Sequence, residues 1–199
     1  GDLAFEYGVP WRELDWHTMS PELVAFPGQE EADLTVIDEP GAPARLISGE
    51  LAMMIHPHPP PSILEGLRNG SVHRLFPDTR AECGRYFKKY GDYPIMHLLV
   101  FKNELAEAHP HLPRALMEMW EDAKHQAAEF YEDPGYSEMA FARNAFEEEQ
   151  GIFGTDIWPT GMAANRASVE RFMKYLTDQT LINAPYPVEE LFHASVLDS

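Results

Sequence analysis

The sequence predicts an α/β protein in two parts, with a boundary near residue 92. Three observations lead there. Over residues 1–92, short apolar runs alternate with short helices stopped by glycine. One run, "YPIMHLLVF" at 93–101, then reads as a strand covered on both faces, because its residues do not alternate in polarity. From residue 103 onward the apolar periodicity is helical. Such an order suits an α/β lobe followed by helices that pack on a different sheet, with 93–101 as the crossing point.

Taken in order, "LAFEYG" reads as the last turns of a helix stopped by Gly8, with Pro10 just beyond. "RELDWHTM" is expected as a strand with Leu14 and Trp16 on one face, residues 20–33 as a loop, and "ADLTVIDEP" as a second strand. "APARLISGE" is a short helix closed by Gly49, and "LAMMI" a buried strand halted by "HPHPPPS". "SILEGLRNG" is a helix with Gly70 past its end, "VHRLF" a short strand, and "DTRAECGRYFKKYG" a helix capped by Asp78 and stopped at Gly91. In the second part, Leu112, Leu116, Met119, Ala123, Ala127 and Phe130 form one stripe on a long helix. "SEMAFARNAFEEEQG" gives a helix capped by Ser137. Another runs from about Gly161 to Leu181 with Val169, Phe172, Met173 and Leu176 on one face, and "PVEELF" makes a last turn.

The charge excludes some functions. A net charge of −18 disfavours nucleic acid, whose phosphates need concentrated Lys and Arg, and disfavours an anionic membrane surface equally. It leaves room for a small anion, since a few local cations outweigh distant charge that salt screens. The single cysteine, Cys83, allows no intrachain disulfide, and no run is long enough to span a membrane. The first helix begins without a cap or lead-in, and few strands accompany the second part. We therefore expect an upstream segment, or another copy of the chain, to complete the sheet beside 93–101. A cytoplasmic location is expected.

Three stretches carry candidate chemistry. His97 lies inside the apolar run, where it is either a hydrogen-bonded core histidine or a residue at the opening of a cleft. His56 and His58 directly follow the expected strand "LAMMI", and ligands of parallel α/β sheets bind beyond the carboxyl ends of strands. The pair reads as a loop, as cleft residues or as two metal ligands; a third ligand at recognisable spacing is missing, so no metal is assigned. In "GTDIWPTGMAANR", Trp158 is an aromatic platform, and Gly161, Asn165 and Arg166 stand at a helix start, where free N–H groups favour an anion. That stretch equally reads as a tightly packed helix start with Arg166 in solvent.

Together "LFPDTRAECGRYFKKYGDYPIMHLLVF", "AHPHLPRALMEMWEDAKHQA", "DIWPTGMAANR" and "VEELF" resemble the 4,5-dihydroxyphthalate decarboxylase family, closely from about Val72 to Phe192. The LFPD, PIMH and WP-x-G-x-x-x-N-R blocks occur in the family's order. The resemblance implies a type II periplasmic-binding-protein-like fold of two lobes with a cleft. Residues 1–92 would form most of the second lobe, and 93–199 would return to an incomplete first lobe. Three positions depart from the family: Thr160 replaces a tyrosine, Tyr90 replaces a threonine, and His56-Pro57-His58 stands where small residues and an arginine are usual.

What the resemblance implies is a cofactor-independent decarboxylase of a hydroxylated aromatic dicarboxylate such as 4,5-dihydroxyphthalate. Loss of CO2 needs a proton for the ring carbon, a base for the phenol and a cation for the retained carboxylate. His97 suits the proton transfer, His56 or His58 the phenolic proton, Arg166 and the helix start at Gly161 the carboxylate. Trp158 would stack on the ring, with Asn165 and Tyr90 beside the substrate. The alternative is a non-catalytic solute-binding protein that holds a small carboxylate with the same residues.

Overall fold

The computed structural model describes residues 1–32, 34–37, 41–133, 135–154 and 156–199. Among these the chain is largely helical with one small parallel sheet, a mixed α/β composition. It divides into two compact units, one of residues 1–79 and 175–184, the other of residues 80–174 and 185–199.

The first unit starts with α1 (Asp2–Tyr7) and a 3-10 turn (Trp11–Glu13), then β1 (Trp16–Thr18) and β2 (Leu34–Val36). The strands pair in parallel, Trp16 opposite Leu34 and Thr18 opposite Val36. Ile37 N–H extends the ladder to the Thr18 carbonyl at 2.9 Å. The outer parts of the second expected strand, residues 33 and 38–40, lie outside the described residues. α2 (Ala42–Ser48) and α3 (Pro61–Asn69) pack on each other. Residues 175–184 belong here: Tyr175 stacks on Phe5 at 4.8 Å and its hydroxyl donates to Asp2 at 2.9 Å.

The second unit holds most of α4 (Thr79–Tyr90), then α5 (Asn103–Ala108), α6 (Leu112–Glu132), α7 (Ala142–Phe153), most of α8 (Met162–Asp178) and α9 (Val188–Leu191). Its core is Met162, Val169 and Val188, against which Ile95, Phe192 and Leu197 pack. Phe87 and Tyr93 meet Phe153 edge-on, and Tyr93 meets Trp158 the same way at 4.9 Å. Arg171 pairs with Asp92 while lying over the Tyr90 ring at 4.2 Å.

The helix stops were legible. Gly8, Gly49, Gly70 and Gly91 all adopt positive φ, between 67° and 83°, the left-handed turn that ends a helix and that other residues resist. Several expected strands are absent. "LAMMI", "VHRLF" and 93–101 have no strand pairing among the described residues. In the last, Ile95 reaches the core, but Met96 is 72% exposed and Val100 82%. His97 is exposed too, which corrects the reading of a buried core histidine. The physical reason is that a strand exists only through bonds to a neighbouring strand. Ser137 accepts the Met139 N–H in a turn, and the helix it was expected to cap begins later, at Ala142. Two stripes are also corrected. Met119, Ala123, Ala127 and Phe130 lie on the open side of α6, and Phe172 is 54% exposed on α8.

Two measurements follow from this arrangement. Amides of residues 96–101 in this 199-residue chain should exchange with solvent at nearly unprotected rates, while those around Val169 are retained; hydrogen exchange resolved by residue would show it. Asp92→Ala should destabilise the second unit by about 3 kcal/mol in a denaturant titration, because the Arg171 and Asp92 side chains are only 15% and 10% exposed.

Candidate functional site

In the second unit the turn before α8 is fixed by side chains. Lys124, on α6, donates to the Trp158 carbonyl at 2.6 Å, to Glu121 at 3.0 Å and to Asp156 at 3.2 Å. Those three acceptors match the three protons of an ammonium group. The Thr160 hydroxyl donates to Glu121. Asp156 accepts the Trp158 N–H at 3.1 Å. The Asn165 amide donates to the Pro159 carbonyl at 2.6 Å and the Gly161 carbonyl at 2.8 Å, so it clamps the turn. Gly161 has φ +103°, a conformation that disfavours any side chain.

The start of α8 is already engaged. Met162 N–H donates to Ser199 Oγ at 3.0 Å and Ala163 N–H to the Ser199 carbonyl at 2.7 Å. Ser199 oxygens therefore stand where an anion was expected. Arg166 is half-buried and meets Glu189 at 2.8 Å and Glu170 at 3.6 Å. The hydrogen bond to Glu189 is the main reason its affinity for a proton is raised further. Trp158 keeps part of its ring exposed beside Tyr93. Tyr90 is held between Tyr86 and Arg171. The Tyr93 hydroxyl is pushed up to about 12, chiefly by its hydrogen bond with Cys83 and then by burial. A cavity of about 340 Å³ lies beside this turn, lined by Arg114, Met117, Glu118, Glu121, Asp122 and Thr160. Three carboxylates face one guanidinium there, a poor setting for another carboxylate.

In the first unit, His56 and His58 line a second cavity, of about 320 Å³, with Met19, Pro43, Met54, Pro60 and Ser62. The sequence places them together through Pro59, Pro60 and Pro61, which stop regular structure and then start α3. His58 N–H donates to His56 Nδ1 at 3.0 Å. A backbone N–H can only donate, so Nδ1 carries the lone pair and the neutral ring carries its proton on Nε2. Among the described residues no group of three or more His, Cys, Asp or Glu side chains is placed to hold a metal.

Several participants escaped the sequence reading. Met19 reaches the His56 cavity from a distant part of the chain, and nothing in a one-dimensional pattern marks it, whereas Met54 lies two residues before His56. Ser199 lies 37 residues from the helix start that it caps. Nothing in the apolar stripe marks Lys124 and Glu121, a Glu–Lys pair one turn apart on the other side of α6. His17 Nδ1 is buried and has no hydrogen-bond partner among the described residues.

No family model matches the chain. A 4,5-dihydroxyphthalate decarboxylase from Comamonas testosteroni is 27% identical to it over a 206-residue alignment. The alignment takes in 99% of this chain and 62% of that protein, so the chain spans about three-fifths of the relative's length. The chain is thus similar, at a distance, to a decarboxylase, which is a carboxy-lyase.

One electrostatic consequence can be measured. The Thr160 hydrogen bond, aided by Lys124 against the effect of burial, holds the Glu121 carboxyl below its ordinary range. A lowered folded-state value means stability that is present above the unfolded value, near 4.5, and lost as pH falls through the folded one. Glu121→Gln should cost up to about 1 kcal/mol at neutral pH, a small effect for a solvent-screened group. The difference from the parent should vanish in acid, as urea titrations across pH would show.

Proposed function

We propose that the protein is a cofactor-independent decarboxylase of a hydroxylated aromatic dicarboxylate, of the 4,5-dihydroxyphthalate kind, and that it shares the two-lobed periplasmic-binding-protein-like fold. The observation that carries this reading is similarity to a decarboxylase along 99% of the chain. The chain's general acidity is no obstacle, because the cavity at His56 and His58 has no carboxylate among its described lining residues.

The chemistry balances without an added reagent. A histidine of the His56–His58 pair takes the proton of a ring hydroxyl, and electron density moves to the carbon bearing the leaving carboxylate. His97 gives that carbon a proton. The bond to the carboxylate then breaks, CO2 departs, and the electron pair restores the aromatic ring and its phenolate. Arg166 would hold the retained carboxylate by exchanging Glu189 for it. Trp158 would offer its exposed ring as a stacking surface, with Tyr90, Gly161 and Asn165 shaping the substrate's surroundings.

The test uses the full-length protein with 4,5-dihydroxyphthalate and measures CO2. His97→Asn keeps polarity but cannot pass a proton near neutral pH. Turnover should fall by roughly 100-fold while ligand affinity changes little. Undiminished turnover in His97→Asn would remove that residue from the chemistry. Tight binding without CO2 from the parent protein would instead make it a solute-binding protein.

A further inference from the structure

We propose that the cavity of the first unit binds the ring of a planar aromatic anion, with Met19 and Met54 against the ring and His56 donating a hydrogen bond from Nε2 to a ligand oxygen. The choice of ligand rests on the decarboxylase reading; the site itself rests on the cavity.

Size is the first support. About 320 Å³ falls at the lower end of small-molecule pockets, roughly 300–1,000 Å³. Chemistry is the second. The chain carries 33 acidic residues, yet among the described residues lining this cavity none is Asp or Glu. The cavity at Thr160 is of similar size but has three carboxylates, a poorer setting for an anion. Thioethers are polarizable and make favourable contacts with aromatic rings, and the two prolines give walls that lose little freedom on binding.

The third support is the state of His56. Its Nδ1 is engaged with the His58 N–H, so its remaining polar vertex is Nε2–H, a donor. A metal ion at Nε2 would need that proton removed, and a base would need a lone pair there. The arrangement therefore favours an acceptor oxygen over a cation. It also divides the pair: His56 holds an ionised oxygen, and His58 is left to take the phenolic proton. Ser62, at the start of α3, adds a hydroxyl to the same lining.

The test is methionine-methyl NMR on the full-length protein, with phthalate as the probe and Met19→Leu and Met54→Leu to assign the signals. The Met19 and Met54 methyls should shift upfield on titration, while Met117, in the other cavity, stays put. His56→Ala should weaken phthalate binding by roughly tenfold. His56→Gln, which keeps an N–H near the Nε2 position, should retain turnover within about tenfold. A loss of roughly 100-fold in His56→Gln would mean that His56 moves a proton, overturning the donor role. Stationary Met19 and Met54 signals at phthalate saturation overturn the site, even if CO2 is released. Shifted signals without CO2 release uphold the site and sink the decarboxylase reading alone.

Discussion

The second unit hangs on one ammonium group. Lys124 reaches from the middle of α6 to the Trp158 carbonyl, Asp156 and Glu121, and its three protons are all used. A charge that is only partly solvated costs little when each proton has an acceptor. Through Glu121 the same knot takes in Thr160, and through Trp158 it sets the turn that Asn165 closes. The start of α8 follows from that turn. Met162 and Val169, two of the three core residues, follow from α8. Packing alone would leave the turn free to slide along α6; directional bonds fix its register.

Charge is distributed unevenly around the two cavities. The acidic one lies beside the Lys124 knot, where carboxylates serve as structural acceptors. The other shows methionine, proline, histidine and serine among its described lining residues, none of which carries a fixed negative charge. A protein with a strong overall charge can thus keep one local region receptive to an ion of the same sign, because salt screens the remote charges within about 10 Å. Proton positions add direction to this. In the His56–His58 pair, a single backbone bond decides which face of an imidazole is acid and which is occupied.

What could be read from the sequence divides by how far each signal reaches. Helix ends at Gly8, Gly49, Gly70 and Gly91 are local facts about backbone rotation, and all four were legible. Strands are not local: 93–101 has the composition of a buried strand but, among the described residues, no neighbouring strand to bond. The helical period of α6 was correct and its inward face was not, because Lys124 and Glu121 turn inward to tie the 156–160 turn while Met119 and Phe130 face out. The candidate histidines were found by residue type and position. Met19 beside His56 and the Ser199 cap on α8 were not, since both come from chain folding over long separations.

The open run at 96–100 has a chemical cost of its own. Met96, Leu98, Leu99 and Val100 present apolar side chains to water together, on a backbone with no strand partner among the described residues. An edge of that kind is a template on which a like segment of another molecule can add, so concentration sets how long such chains stay apart. Met96 is also open to oxidants. Its sulfoxide would be polar and chiral, and a run of this composition would then adhere less well to any apolar surface. Keeping peroxide and other oxidants away is therefore part of keeping this segment in its native chemical form.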